Sequence, residues 1–123
     1  MRPQFIVDAE ACFSELKDRE VEEIFSLAPF GFGNPAPLFL TKGVEVAGPP
    51  RVLTEGKHLK IGFRHDRRVL FFKAWNFGDR IDLFQPGQRL DILFTLEEDP
   101  GAKSRGYAGW SLSLRDARPT ASA

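Results

Sequence analysis

The chain has 123 residues, 42% of them apolar and 28% charged, and its 17 Lys and Arg balance 17 Asp and Glu. That composition supports one domain with its own core and excludes a disordered chain. No run approaches the roughly 18 uncharged apolar residues of a spanning helix, and Asp8 and Glu10 stand where a signal peptide would carry its apolar stretch, so a cytoplasmic protein without membrane contact is expected.

Cys12 is the single cysteine, which permits no internal disulfide; between Ala11 and Phe13 it suits a buried small hydrophobe. The segment from Asp8 to Glu23 is acidic, with seven acids against two bases. Within it Asp18 can cap a helix, and Val21, Ile24, Phe25 and Ala28 follow at helical spacing, which predicts an amphipathic helix over residues 18–28. Pro29 ends it. From Pro29 to Pro37 the chain carries three prolines and two glycines and cannot be an element interior. An ordered connector is expected, with Phe30 and Phe32 docked on a neighbouring surface. Residues 1–37 thus form an N-terminal unit of extension, helix and connector.

After Pro37 the pattern changes to period two. Strands are predicted at Leu38 to Val46, Lys57 to His65, Val69 to Trp75, Gln88 to Glu97 and Tyr107 to Arg115, with room for a turn or two of helix between Phe77 and Gln85. Five antiparallel strands with one short helical insert after the third is the order of a small barrel of the oligonucleotide-binding (OB) type, here over residues 38–118; a β-sandwich is the alternative. The tail, 119–123, is expected to fray.

Alternation assigns the faces. Leu59, Ile61 and Phe63 are core, and Lys60, Gly62 and Arg64 face outward. The next strand offers Leu70, Phe72 and Ala74 on one side and Phe71, Lys73 and Trp75 on the other; because an unpaired lysine does not belong in a core, the second set is outward. The core also takes Leu90, Ile92, Phe94 and Leu96, and Trp110, Leu112 and Leu114.

From Arg51 to Arg80 there are eight bases against three acids, a local positive field in a neutral chain. The turn from His65 to Arg68, with Asp66 and Arg67 between, would set Phe71 and Trp75 beside Lys60, Arg64 and Lys73. Rings interleaved with cations suit single-stranded nucleic acid, since rings stack on bases and cations follow the backbone. The other reading is that the N-terminal helix or the connector covers these rings. His58 and His65 are the only histidines and read as surface positions, so no metal ligand set and no catalytic constellation is expected.

The stretch from Leu27 to Phe39, LAPFGFGNPAPLF, resembles the Leu-x-Pro-Phe-Gly-x-Gly-Asn-Pro-x-Pro-x-Phe signature of the RecJ single-strand-specific exonucleases. Gly56-Lys57-His58-Leu59-Lys60, the run from Gly87 to Leu96 with Asp91 at its centre, and the closing Leu112 to Pro119 are similar to later elements of that family, in the same order. The resemblance implies that residues 1–37 end the second phosphoesterase lobe and that the remainder is an OB barrel holding single-stranded DNA for a 5′-to-3′ exonuclease of recombination and repair. It carries Lys57, His58 and Lys60 into the DNA-binding set; Arg64, Arg67, Arg68, Phe71, Lys73 and Trp75 join them from the residue pattern. The family's Asp-His-His motif, which with further ligands binds manganese or magnesium in the catalytic lobes, is missing here. This chain is therefore expected to need no cofactor and to have no catalysis of its own. Its expected partners are single-stranded DNA, the catalytic lobes and a single-stranded-DNA-binding protein. A module that docks on the lobes or recruits such a partner is the competing reading.

Overall fold

The computed structural model describes residues 9–17, 19–21, 23, 37–53, 56–98 and 110–120. Seven strands are present: β1 (Ala9–Glu10), β2 (Leu38–Val46), β3 (Arg51–Val52), β4 (Leu59–His65), β5 (Arg68–Ala74), β6 (Arg89–Glu98) and β7 (Trp110–Pro119). Their order is β1-β2-β6-β7-β5-β4-β3, and a further β2–β4 pairing joins β2 to β4, so β2, β6, β7, β5 and β4 close a five-stranded barrel. Closure excludes the two separate sheets of a sandwich. The pairing is mostly antiparallel, but β5 and β7 run parallel through Phe72↔Leu112 and Lys73↔Ser113, as do β1 and β2.

Closure depends on a bend in β2. One edge pairs with β6; the other is shared, with β1 at Phe39 and Leu40 and β4 at Glu45 and Val46. Between Thr41 and Val44 the register with β6 slips, and Gly43 sits there at φ +70°, a backbone conformation that glycine adopts without a Cβ penalty. The Asp91 carboxylate on β6 holds the bulge: it accepts the Gly43 N–H at 3.0 Å and the Thr120 hydroxyl at 2.8 Å. β7 has its own bulge at Arg115, where Phe94 pairs with Leu114 and Leu93 with Asp116, so Leu112, Leu114 and Ala117 all turn inward.

Phe72 is the hub of the core. Its ring lies 5.4 Å from Phe63, 5.2 Å from Phe94 and 5.6 Å from Phe13. The 3-10 segment Gly78–Leu83 occupies the predicted helical insert, and Phe77 and Phe84 on either side of it are buried, Phe84 against Phe63. The expected core residues are buried except Leu70 and Trp110, which are half-buried.

Three expectations are corrected. The extension before the connector does not stand apart from the barrel: Ala11 N–H bonds the Leu40 carbonyl at 2.9 Å, and Phe13 is fully buried between His65 and Phe72. Cys12 is only half-buried, because its neighbour Phe13 takes the inward position. Pro119 and Thr120 do not fray, since Pro119 pairs with Leu90 and the Thr120 N–H bonds the Arg89 carbonyl at 3.1 Å. The predicted helix is described only at residues 19–21 and 23, which are helical; the rest of it and the connector to residue 36, with Phe30 and Phe32, lie outside the described residues. Among the described residues no helix is long and apolar enough to cross a membrane.

Replacing Asp91 by Ala removes an ionised acceptor from both the β2 bulge and the end of β7. Hydrogen bonds to charged groups contribute about 1.5–3 kcal/mol, so Asp91→Ala is expected to lower unfolding free energy by about 2–3 kcal/mol, measured by urea denaturation at unchanged slope.

Candidate nucleic-acid interface

The β4–β5 hairpin turns through Asp66 and Arg67, at φ 51° and 64°. Two consecutive left-handed residues make the tight hairpin turn whose twist matches the strands, and this fixes the register to a single solution. Lys60 then stands opposite Lys73, Gly62 opposite Phe71 and Arg64 opposite Val69, all on the outer face. β3 adds Arg51 opposite Lys60. Directly paired residues project to the same side, so Arg51, Lys60 and Lys73 form a transverse row of three cations, with neighbouring strands about 4.8 Å apart. Like charges placed opposite one another repel, and a phosphate lying along the row would relieve that repulsion.

Next to this row lies an aromatic surface. Phe71 is 61% exposed, and its ring rests on Gly62, where an added Cβ would come within 3.0 Å of Phe71 Cε1. The absence of a side chain at Gly62 therefore provides the seat on which the ring lies. Lys60 Nζ stands 5.8 Å from the centre of that ring. Together Arg51, Lys60, Gly62, Arg64, Val69 and Phe71, with residues 47–49, line a groove of about 500 Å³.

Trp75 is 46% exposed at the end of β5. The His58 ring meets Trp75 edge to face at 4.8 Å, and its Nδ1 accepts the Asn76 N–H at 3.0 Å, so His58 positions the indole. Arg64 lies in the groove but shares its charge with Glu45 at 3.6 Å, a half-exposed pair. Arg67 is exposed at the turn, and Lys57 is exposed just before β4, its carbonyl taken by the Gly78 N–H at 3.0 Å.

Arg68 departs from the expected set. It belongs to the opposite side of the hairpin, where its guanidinium donates to the Phe13 carbonyl at 2.7 Å and ties the N-terminal segment to the barrel. Arg80 is likewise withdrawn from the positive field by Asp116 at 3.4 Å. Arg51, absent from the expected set, belongs to the row; only the pairing register reveals it, because a two-residue strand carries no alternation. Burial, then the neighbouring carboxylates of Glu15, Asp66 and Glu10, push the Cys12 thiol up from its ordinary value, so it is not an activated nucleophile.

A closed five-stranded barrel in this strand order, with a short helical insert after the third barrel strand and a cationic, aromatic outer face, is an OB fold. The family described as the RecJ OB domain matches residues 7–105, and the chain belongs to that family. The match begins before Ala9, in keeping with the N-terminal segment packed into the barrel. Similar solved structures include a replication protein A heterotrimer bound to single-stranded DNA, at 12% identity and TM-score 0.48 over 73% of this chain and 62% of that one. Another is the second OB-fold domain of replication protein A from Methanococcus maripaludis, at 11% identity and TM-score 0.43, covering 73% of this chain and 88% of that one. The chain thus spans less than two thirds of the first of these. No curated protein matches it in sequence.

The exposure of Phe71 separates it energetically from its buried neighbour. Phe72→Ala empties the hub of the core and is expected to cost about 3–5 kcal/mol of stability, whereas Phe71→Ala should cost under about 1 kcal/mol. Parallel urea titrations of the two variants measure the difference.

Proposed function

We propose that this chain binds single-stranded DNA along the outer face of the β4–β5 hairpin, as the OB module of a RecJ-type 5′-to-3′ exonuclease of recombination and repair. The observation that carries the reading is the row Arg51, Lys60 and Lys73 running beside an exposed phenylalanine that rests on a glycine. A ring next to like charges that face one another offers stacking and phosphate contact together. In this reading Phe71 and Trp75 stack on bases, Arg51, Lys60 and Lys73 hold phosphates, and Arg64, Arg67, Lys57 and His58 border the track. Membership of the RecJ OB family supports it, as does the OB strand order. A sheet face is open to flexible strands whose bases are unpaired, while among the described residues no helix is placed to enter a major groove.

The module would guide strands to catalytic lobes that hold manganese or magnesium, with Phe30 and Phe32 docking it there and a single-stranded-DNA-binding protein as a further partner. The chain itself would act as a binding module.

Fluorescence anisotropy with labelled oligonucleotides tests the binding. Phe71→Ala and Trp75→Ala are each expected to weaken single-strand binding by about 1–3 kcal/mol without altering the salt slope, and Lys60→Ala or Lys73→Ala to reduce that slope by about 0.7. Arg68→Ala should leave the slope unchanged and lower stability. Equal or tighter binding to duplex at matched salt would reject the proposal; normal binding by a Trp75→Ala protein that melts far lower would make that ring a docking surface.

Incubated alone with labelled single strands and manganese, the chain is expected to leave them intact. Metal-dependent degradation lost on substitution of His58 or His65 would show the opposite.

A further inference from the structure

At the tip of the β4–β5 hairpin, beyond the pair Arg64 and Val69 that ends the groove, two distant chain segments bring three different metal-ligating side chains together. The Cys12 thiol, the His65 imidazole and the Asp66 carboxylate place their ligand atoms all within 4.8 Å of one another. His65 Nδ1 and Asp66 Oδ2 are already 3.6 Å apart. Two ligand atoms about 2.0–2.3 Å from one ion in tetrahedral geometry stand about 3.3–3.8 Å apart, so this edge has the required length and the thiol needs only a small approach.

The three residues do not meet by chance of a loose surface. Cys12 is clamped on both sides. Before it, Ala11 is fixed by its N–H to the Leu40 carbonyl at 2.9 Å and by the Thr41 hydroxyl on its own carbonyl at 2.7 Å. After it, the buried Phe13 has its carbonyl held by Arg68 at 2.7 Å and its N–H on His65 Nδ1. That last bond is long, 3.3 Å, and is the contact His65 would exchange for an ion. Asp66 and His65 are adjacent at the hairpin turn, whose register the strand pairing fixes. The cluster has a half-buried thiol, a half-buried imidazole and an exposed carboxylate, leaving one side open to solvent.

We infer that Cys12, His65 and Asp66 form a site for zinc(II), completed by water, that clips the N-terminal segment to the β4–β5 turn. Thiolate, imidazole and carboxylate are the three protein ligand types zinc accepts, whereas magnesium and calcium would refuse the sulfur. Binding displaces the thiol proton to solvent. The clip joins residues at opposite ends of a long chain loop, so it stabilises the folded arrangement over the open one. None of its ligands lines the groove.

The test uses the whole chain with cobalt(II) as a spectroscopic substitute and zinc(II) as competitor. Cobalt is expected to give a near-ultraviolet thiolate-to-metal band with visible tetrahedral absorption, both removed by zinc. Zinc at about a hundredfold excess over its dissociation constant should raise Tm by about 5–10 °C. Cys12→Ser should abolish the thiolate band and the Tm rise, and Asp66→Asn should weaken zinc binding by about tenfold or more. Absence of the thiolate band in the unaltered chain overturns the inference, even if Cys12→Ser fails to fold. A Tm rise of the same size in folded Cys12→Ser overturns it too, since the zinc would then be bound elsewhere.

Discussion

Everything on the outer face depends on β2 serving two neighbours at once. A straight strand can take β6 on one edge and β4 on the other in a flat sheet, but here β6 and β4 are also joined through β7 and β5, so the sheet closes on itself and β2 has to bend. The extra residue at Gly43 produces the bend, and Asp91 fixes it by taking the N–H that the slipped register leaves without a ladder partner. The same carboxylate reaches Thr120, so one ionised group ties the first and last barrel strands to β6. In this light the Asp of the Gly87–Leu96 run has a structural purpose: it closes the barrel.

Closure places β4 and β5 where their inner residues fill the barrel and their outer residues are left to solvent. Phe72 and Phe71 are adjacent in sequence and opposite in fate. The first contacts three other rings in the interior; the second lies on the backbone of Gly62 and remains open. A bulkier residue at 62 would lift the ring from its seat, so the glycine determines the height of the aromatic surface as surely as the phenylalanine provides it. The N-terminal segment acts from the other side: Phe13 reaches Phe72 from outside the barrel strands, and Arg68 secures it.

The barrel strands and the outward set were legible because a single charged residue, Lys73, decides which side of β5 faces water. Period two in β4, β6 and most of β7 did the rest. What escaped the pattern has a common physical origin, in that it depends on pairings distant in sequence. The two-residue β3 and the three-residue 3-10 turn Phe13–Glu15 are too short to show a period, so Arg51 carried no local signal of its place in the candidate site and Phe13 none of its burial. The Arg115 bulge flips the end of β7, and Asp91 holds Thr120 across a separation no local rule can see. Arg68 resembles its neighbours by charge alone; its parity along β5 is opposite to that of Phe71 and Lys73, which puts it on the face where it meets the Phe13 carbonyl.

The row of Arg51, Lys60 and Lys73 also makes the barrel respond to ions in two opposed ways. Backbone pairing fixes three like charges on adjacent strands, and their mutual repulsion acts against this arrangement of the face. Added salt screens it and makes the fold more secure, while in the proposed binding mode the same salt would compete with phosphates for the row and loosen a bound strand. Conditions that favour the barrel by itself would therefore be those that disfavour the proposed complex.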